Sequence, residues 1–418
     1  MYSLGKFPHL SDISCKSKWS WSTIIFYNGL TSSCHRVDKE KLTPSSMMNF
    51  HNTDEKMKQR QSMLDNKWPM KGCEFCKNVE DSGGISDRIH QSNIPSFPME
   101  LENGTITTAT TPTTVEVYLD NKCNLACVYC HTSYSSRIAS ENKKFGKFPN
   151  IDLRNEFQER DPNIDENKKI FWEWMVVNSH NVEHFNVLGG EPFIQYDFNV
   201  CVDFFKNNPR PNLTLTFVSN LMLPSAMFVK YINLLKILVD DGCVKRIDIT
   251  ASIDSWGDDQ EYTRHGIDLK KFEKNMDYLL TCGDWLYLTV NHTVSSLSIV
   301  NFHLLMDKVS EWRVRKPIYQ TGGFVTHEPH LHPLIFPNGF WDRHFESALK
   351  KINSENGYEE KNGYDVVNGM YIYVKKMGAV DEEQIGILIR ALNEYDRRRG
   401  TSWRDAFPYL VEFEHVVY

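Results

Sequence analysis

Short apolar runs rich in β-branched residues alternate with amphipathic stretches of helical period from residue 115 onward. The runs are VEVYLD (115–120), EHFNVLGG (183–190), LTLTFVSN (213–220), VKRIDITASID (244–254), LYLTVNHTV (286–294) and, more weakly, PIYQTGGFV (317–325). Between them, apolar residues at helical spacing predict buried helix faces: Phe171, Trp174 and Val177; Phe228, Ile232 and Leu235; Phe272, Met276 and Leu279; Phe302, Met306 and Val309. Six strands separated by helices predict parallel pairing with right-handed crossovers, and therefore an α/β fold.

Both ends of the chain depart from this alternation. Residues 1–105 are polar, carry few long apolar runs and hold four cysteines, so we expect a small domain that needs a metal site for stability. The stretch NGTITTATTPTT (103–114) has the composition of a linker. Residues 106–326 form the predicted core domain and residues 327–418 a mixed C-terminal extension. In that extension, residues 381–400 predict a helix that ends in arginines and a glycine.

Composition and charge narrow the class of protein. The 418 residues carry a formal net charge of −7 with a sequence pI of about 6.1, and the scattered Lys and Arg residues argue against a dedicated nucleic-acid binder. The N-terminus has no apolar signal-peptide core, and no apolar run approaches the ~18 residues of a membrane span. We therefore expect no membrane partner and a cytoplasmic location, which is the host cytoplasm if a phage encodes the chain.

Ten cysteines in a reducing compartment are free for metals or catalysis, because disulfides are rare there. Cys201, Cys243 and Cys282 lie among helix or strand residues, and we interpret them as small buried apolar side chains. The other seven lie in polar, loop-like sequence near Gly, Ser, Asn or Lys. Those seven cysteines are therefore the candidate metal ligands.

Polar residues follow each of the five clearer strands. The first strand runs into CNLACVYC (123–130), and the next four end in GGEP, SN, SID and NH. Each of the shorter motifs is by itself compatible with an ordinary turn or strand end. Together they matter more, because the carboxyl ends of parallel strands gather at one edge of the sheet, where active sites of such folds lie.

Three thiols in eight positions predict a metal centre. Cys123, Cys127 and Cys130 are one ligand short of a structural zinc site, and only His131 lies at a neighbouring ligand position. Three thiolates can instead hold three irons of a 4Fe–4S cube and leave the fourth iron open to an exogenous ligand. Zinc with a remote fourth ligand, or chance clustering, stays as the alternative.

The CxxxCxxC spacing with Tyr129 before the last cysteine resembles the signature of the radical SAM superfamily. The resemblance covers residues 115 to about 325 and implies a partial (β/α)6 TIM-like barrel. It also implies that the three cysteines hold a 4Fe–4S cluster to which S-adenosylmethionine binds.

The later strand ends resemble the cofactor contacts of that superfamily, in the same order along the chain. GGEP, which is Gly189, Gly190, Glu191 and Pro192, resembles the motif that receives the cofactor's amino group. Ser219 and Asn220 correspond to a polar strand end near the ribose. Ser252 and Asp254 resemble the superfamily's SxDG strand end, although Ser255 replaces the glycine. Arg264 matches an arginine that grips the cofactor's carboxylate, and Asn291 at the end of the fifth strand completes the predicted contacts.

Four more cysteines precede the predicted core domain. Cys15 and Cys34 flank a predicted hairpin that turns at Asn28 and Gly29, and Cys73 and Cys76 form a CxxC pair. Four thiolates suit either a fully ligated iron–sulfur cluster or zinc.

This arrangement resembles the Twitch, or shortened SPASM, region of radical SAM proteins, including a group common in phage and bacterial genomes. The resemblance implies an auxiliary 4Fe–4S cluster, although in most relatives such cysteines follow the barrel. His35 and His51 are lesser candidates for a proton relay or ligation near this set.

The resemblance implies an oxidoreductase-like radical enzyme. Reductive cleavage of S-adenosylmethionine would yield a 5'-deoxyadenosyl radical that abstracts hydrogen from a peptide or protein substrate, leading to oxidation or cross-linking. An external donor such as a flavodoxin or ferredoxin would supply the electron. A nucleotide, nucleoside or sugar substrate is the alternative, and a non-catalytic metal-binding scaffold is a third interpretation.

Overall fold

The computed structural model describes residues 13–69, 72–81, 86–92, 101–102, 105–149, 151, 159–325, 327–353 and 363–416. Its strands are β1 (Trp21–Ile25), β2 (Leu30–Ser32), β3 (Glu40–Lys41), β4 (Leu101–Glu102), β5 (Thr105–Ile106), β6 (Thr114–Tyr118), β7 (Ala126–Cys127), β8 (His184–Leu188), β9 (Arg210–Ser219), β10 (Val244–Ser252), β11 (Arg264–His265), β12 (Leu286–Val294) and β13 (Ile318–Phe324).

The α-helices are α1 (Lys16–Ser20), α2 (Pro44–Met47), α3 (Asp54–Leu64), α4 (Glu74–Asp81), α5 (Asp87–Ser92), α6 (Ser136–Phe145), α7 (Ile164–Asn178), α8 (Asp197–Asn207), α9 (Ser225–Asp240), α10 (Asp258–Thr263), α11 (Leu269–Thr281), α12 (Phe302–Arg313), α13 (Asp342–Asn353), α14 (Tyr364–Met377), α15 (Glu382–Arg399) and α16 (Trp403–Ala406). Short 3-10 helices cover Ser179–Asn181, Pro192–Ile194, Pro329–Leu331, Pro333–Ile335 and Pro408–Val416.

Nine of the strands form one sheet in the order β13-β12-β10-β9-β8-β6-β1-β2-β3. The six predicted strands appear as β6, β8, β9, β10, β12 and β13, each parallel to its neighbour and adjacent in chain order. The predicted α/β class with a large parallel sheet is therefore confirmed. Because the pairs are parallel, the carboxyl ends of these strands lie along one edge.

The two faces of the parallel sheet differ in side-chain character. On β6, Val115 and Val117 are fully buried in the main apolar core, which also contains Phe171 of α7. Glu116 and Tyr118 alternate with them and so point to the opposite face. This alternation lets one face bury apolar area against helices while the other face carries polar and aromatic groups.

The N-terminal segment extends this sheet. Strand β1 pairs in parallel with β6, with Trp21 opposite Thr114, and β2 returns antiparallel to β1 around the predicted turn at Asn28 and Gly29. Gly29 has φ of +62°, the left-handed region that glycine adopts without penalty. The hairpin is thus confirmed, and it lies on the edge of the same sheet as the predicted core domain.

The segment predicted as a linker is held in place where it is described. The Trp19 indole nitrogen donates to the Thr107 carbonyl at 3.1 Å, and the Arg60 guanidinium donates to the Thr108 carbonyl at 2.6 Å. The composition that suggested a linker belongs to a threonine-rich stretch that hydrogen-bonds to the N-terminal segment. The proposed domain boundaries stay a prediction.

Eleven of the twelve residues predicted on buried helix faces are buried; Val177 is 68% exposed, so that assignment was wrong. Val177 lies on α7, where Phe171 and Trp174 are buried. A step of three residues turns a helix by less than a full revolution, so two successive steps move Val177 off the apolar face.

The C-terminal extension packs on the loop that follows β6. Helix α15 begins after Asp381, which caps it through the backbone nitrogen of Gln384, and ends at Gly400 with φ of +68°, as predicted. The Tyr395 hydroxyl of α15 donates to the Val128 carbonyl at 2.9 Å. Arg398 donates to the Gly146 carbonyl at 3.0 Å, just after α6. The extension therefore fixes the cysteine loop from outside the sheet.

Candidate functional site

A cavity of about 240 Å³ opens at the carboxyl edge of the parallel strands. Nine predicted site residues line it: Cys123, Cys127, Cys130, Tyr129, Gly189, Gly190, Asn220, Ser252 and Arg264. They come from the loops or ends of four different strands, so the fold brings together residues separated by up to 141 positions (264 − 123).

The cysteine loop is held in place by backbone hydrogen bonds. Strand β7 pairs antiparallel with β11, which puts Cys127 opposite Arg264, and the Val128 amide donates to the Thr263 carbonyl at 2.9 Å. The Cys130 amide closes a turn on the Cys127 carbonyl at 3.0 Å. A loop tied in this way presents its thiols with little conformational entropy left to lose on metal binding.

Burial shapes the acidity of the three thiols. Burial raises the pKa of Cys123 to about 12, and raises the pKa of Cys130 well above its ordinary value. The Arg264 guanidinium opposes this effect and pulls the pKa of Cys127 down, although burial prevails there too. Thiols in such surroundings ionise when a metal cation takes the place of the proton, so the donor set fits an iron–sulfur group.

The two glycines of GGEP leave room that a side chain would fill. Gly190 has φ of +51°, and a Cβ there would lie 2.2 Å from the Lys122 carbonyl oxygen. Gly189 has φ of +80°, and its Cβ would lie 2.9 Å from Cβ of Tyr118. Only glycine fits both positions, which puts bare backbone on the cavity wall.

Glu191 lies behind the wall and is fully buried. Its carboxylate accepts hydrogen bonds from the Ser219 hydroxyl at 2.9 Å and from the Asn220 amide at 2.7 Å. Burial raises the pKa of Glu191 to about 7, and these donors oppose that rise. Glu191 and Ser219 do not line the cavity, but Glu191 holds the backbone of Asn220, which does.

Asn220 connects the end of β9 to the cysteine loop. Its Nδ2 donates to Asn124 Oδ1 at 2.8 Å and lies 3.9 Å from Cys123 Sγ. The next residue, Leu221, is a non-glycine residue with φ of +55° and is fully buried. Such a conformation costs on the order of 1 kcal/mol and clusters at functional sites, and no pattern in the sequence predicted it.

Asp254 binds Arg264 from inside the protein. Its two carboxylate oxygens accept from Nε and Nη2 of Arg264, both at 2.9 Å, and also from the Tyr129 hydroxyl and the Thr293 amide. Asp254 is fully buried and does not line the cavity. The carboxylate thus orients the two cavity-lining side chains, Arg264 and Tyr129.

The remaining predicted contacts are less direct. Pro192 begins a 3-10 helix, and Asn291 pairs with Ser252 in the sheet without lining the cavity. Tyr118 and Tyr134 do line it, with ring centroids 4.9 Å apart, and the prediction missed both. Alternation along β6 could have identified Tyr118, because it shares a face with the buried Glu116.

Beside Cys130, His131 packs against Tyr134 with ring centroids 4.3 Å apart. Burial lowers the pKa of His131 to about 4, so its imidazole is neutral at physiological pH. Burial also raises the pKa of Tyr134 well above its ordinary value, so both rings are uncharged at physiological pH.

The four N-terminal cysteines lie close together at a second place in the fold, which we call the four-cysteine pocket. Trp19, Val37, Met63 and Cys73 form a small buried cluster, and Cys15 and Cys34 pack against it. Burial raises the pKa of Cys15 to about 11, with a further rise from Cys34. Cys76 also lies within electrostatic range of Cys34. The fold thus brings together cysteines up to 61 positions apart (76 − 15).

The pocket lies at the opposite end of the strands from the cavity. Ser32 pairs with Thr23, so Cys34 lies two positions further, beside the start of β1, and the His35 and Trp21 rings are 6.0 Å apart. The cavity begins where β6 ends. At ~3.3 Å per residue, the five-residue strand separates the two levels by roughly 13 Å.

The two candidate histidines have different surroundings. His51 is buried, and its Nδ1 and Nε2 lie 2.7 Å from Ser22 Oγ and 2.9 Å from the Trp19 carbonyl oxygen. Burial and the nearby Arg60 hold its pKa well below the ordinary value. The His35 side chain is 60% exposed and lies 3.7 Å from Glu116. Both rings have partners other than the thiols.

Within the described ranges, no group of three or more His, Cys, Asp or Glu side chains is arranged to hold a metal ion. The ligands of one zinc ion would all lie within ~2.3 Å of it, whereas those of a 4Fe–4S cube are spread over separate irons.

The three cysteines interpreted as apolar side chains are mostly enclosed: Cys201 and Cys243 are buried and Cys282 is half-buried. In the part of the chain that the structure describes, no helix is long and apolar enough to cross a bilayer.

No family model and no curated protein matches this chain. Among solved structures, the crystal structure of Streptococcus suis SuiB bound to S-adenosylmethionine is similar at 12% identity and a TM-score of 0.36, covering 82% of this chain and 69% of SuiB. Another crystal structure of SuiB gives 12% identity and a TM-score of 0.39 over 84% and 70%. Similarity this low does not show a shared function.

Proposed function

We propose that the chain is a radical SAM enzyme that abstracts hydrogen from a peptide or protein substrate. One observation carries the proposal: nine residues predicted from separate motifs line a single cavity at the carboxyl edge of the parallel strands. A chance resemblance in CNLACVYC alone would not bring GGEP, Asn220, Ser252 and Arg264 to the same 240 Å³.

Cys123, Cys127 and Cys130 are the residues that would hold a 4Fe–4S cluster. Such a cluster, with one iron free of protein ligands, supplies the electron that cleaves S-adenosylmethionine to methionine and a hydrogen-abstracting 5'-deoxyadenosyl group.

The chain's own share is binding and orientation. The bare backbone at Gly189 and Gly190 admits a close-lying ligand, and Glu191 fixes Asn220 through its backbone nitrogen. Arg264 is fixed by Asp254, which leaves Nη1 outside that ion pair. Tyr118, Tyr129 and Tyr134 provide walls that exclude water, which protects a reactive radical from unwanted quenching.

The direct test is anaerobic reconstitution followed by assay of 5'-deoxyadenosine with dithionite or a flavodoxin as donor. We expect reductive cleavage of S-adenosylmethionine by the wild type, and none by Cys123→Ala. Cys282→Ala, which removes a half-buried thiol remote from the cavity lining, is the matched control and should retain cleavage. Zinc in the preparation with no cleavage would overturn the proposal and favour the scaffold interpretation.

The substrate class has its own test. Peptides encoded beside the gene should stimulate 5'-deoxyadenosine formation and acquire a mass shift. Stimulation by nucleosides or sugars, with none by peptides, would instead support the alternative substrate class. Aromatic side chains in the cavity wall serve both classes, because they can pack against a peptide side chain or stack on a base.

We further propose that the four-cysteine pocket holds an auxiliary 4Fe–4S cluster. The proximity of the four thiols at one small buried cluster supports a metal centre, and zinc is the alternative metal. Iron and zinc counts on the wild type and on a variant with Cys15, Cys34, Cys73 and Cys76 all changed to Ala distinguish them. Loss of about half the iron with uncoupled cleavage retained is the expected result.

A further inference from the structure

Three buried cations lie on the two helices beside the four-cysteine pocket. Lys18 and Lys56 are each 1% exposed and Arg60 is fully buried. All three lie on α1 or α3, which pack against each other beside the thiols. Burying even one unpaired ammonium or guanidinium is expensive, so three in one place require a compensating charge.

The hydrogen-bond partners of these cations are neutral. Lys56 Nζ donates to Ser22 Oγ, Thr31 Oγ1 and the Phe50 carbonyl oxygen at 2.7–3.2 Å. Arg60 donates to backbone carbonyls, including those of Lys18 and His51, and to a side-chain amide oxygen of Asn52. Lys18 Nζ donates to the amide oxygen of Gln59. Hydroxyls and amides satisfy the N–H groups without cancelling the charge.

Carboxylates are not the missing partners. Among the described residues, no Asp or Glu oxygen lies within the 4.0 Å of an ion pair with Lys18, Lys56 or Arg60. Glu40 acts on Lys56 and Arg60 only through space. These three cations therefore have no carboxylate paired with them among the described residues, and Asp87, which acts on Cys76, is already paired with Arg36.

For Lys18, the thiols of Cys15 and Cys73 are the groups that can supply the anion. The Lys18 amide donates to the Cys15 carbonyl at 3.0 Å, and the next residue, Trp19, packs with Cys73. The Lys18 ammonium attracts the thiolate forms of Cys15 and Cys73 and lowers the pKa of each, against the larger effect of burial. Lys18 thus acts on two of the four thiols, and neither Lys56 nor Arg60 appears among the groups that shift their pKa.

Four thiolates around Zn²⁺ or around an oxidised 4Fe–4S core both carry a net charge of about −2. We propose that Lys18 is a positioning residue that stabilises the four-cysteine metal centre by balancing this charge inside the protein, with Lys56 and Arg60 behind it. The inference rests on the metal centre of the proposed function, but it holds for either metal.

The test is a double-mutant cycle on the full-length chain. Lys18→Met keeps the volume of the stem and removes the charge. In the metal-loaded wild-type background it should lower Tm and release metal to a chelator about tenfold faster. In the variant with all four cysteines changed to Ala, the same change should leave Tm unchanged or raise it, because it removes a buried charge that has no anion.

Lys58→Met is the matched control, because Lys58 is exposed on the same helix as Lys56. It should change neither quantity, and Lys18→Arg should restore metal retention. If the centre is an iron–sulfur cluster, Lys18→Met should also shift its reduced-to-oxidised ratio about tenfold toward the oxidised form at fixed potential, which is about 59 mV.

A purely structural role for Lys18 predicts equal Tm losses in both backgrounds, and that result would overturn the inference. A wild-type chain that retains no metal on the four cysteines would instead refute the auxiliary centre itself. Metal counts on the wild type separate these two failures before any Lys18 variant is made.

Discussion

The cavity and the four-cysteine pocket use the same ligand type in opposite electrostatic surroundings. At the cavity, the positive charge of Arg264 is balanced by the buried carboxylate of Asp254. In the pocket, Lys18, Lys56 and Arg60 bond only to neutral acceptors among the described residues. In our proposal, S-adenosylmethionine brings its own sulfonium charge to the open site, whereas the closed site must take its compensating cations from the chain.

The largest expected effect separates the two sites by role. Cys123→Ala should reduce cleavage of S-adenosylmethionine by about a thousandfold or more, because it removes one of the three proposed ligands of the 4Fe–4S cluster. Cys73→Ala should leave uncoupled cleavage within a few-fold of wild type while the auxiliary metal is lost. Cleavage is measured as 5'-deoxyadenosine formation, and metal content by iron counts on each variant. Equal loss of cleavage in the two variants would show that the two sites do not have separate roles.

Asp254→Asn should make the cavity resemble the pocket, since it leaves Arg264 charged and without its carboxylate. Breaking a buried ion pair from one side costs about 3–5 kcal/mol, and Tyr129 loses its acceptor as well. Thermal unfolding and S-adenosylmethionine affinity are the measurements. Asp248→Asn, on the strand β10 that precedes Asp254, is the control, because the Arg246–Asp248 pair is partly exposed and should contribute no more than about 1 kcal/mol.

Gly190→Ala tests whether bare backbone at the cavity wall is required. Its Cβ would lie 2.2 Å from the Lys122 carbonyl oxygen at φ of +51°, so we expect a loss of about 3 kcal/mol in unfolding free energy and weaker binding of S-adenosylmethionine. Gly242→Ala has a similar φ of +68° with nothing within 4 Å, and should lose only ~1 kcal/mol. Equal losses would show that backbone strain alone is at work.

The smallest expected effect is a dependence of stability on pH that comes from Glu191, behind the cavity wall. Its pKa of about 7 lies above the ordinary value of 4.5, so the folded chain holds a proton that the unfolded chain releases. Stability from this group is therefore greatest at low pH, falls as pH rises from about 4.5 to about 7, and is constant above.

Between pH 5 and pH 7 the wild type should lose about 2 kcal/mol relative to Glu191→Gln, which does not titrate. Tm measured across this range for both proteins gives the difference. The variant lacking the four N-terminal cysteines should keep the same slope; a slope that disappears there would place the titration in the pocket.

Local patterns predicted much of the fold and many of the site residues. The six parallel strands and the ends of α15 follow from periodicity and capping, which depend on residues close together in the chain. Val177 shows the limit, because spacing alone does not define how wide a buried helix face is. Leu221, with its positive φ inside the core, had no signal in the sequence.

The sequence by itself determined the order of strands, the clustering of three thiols after β6 and the glycines of GGEP, because each depends on neighbours a few positions away. Only the tertiary structure decided that Asp254 binds Arg264 and Tyr129, that Glu191 binds Asn220, that β1 joins β6, and that Lys18 acts on the thiol of Cys73. These partners lie 10 to 125 positions apart, and hydrogen bonding and charge compensation act through space, so periodicity along the chain carries no record of them.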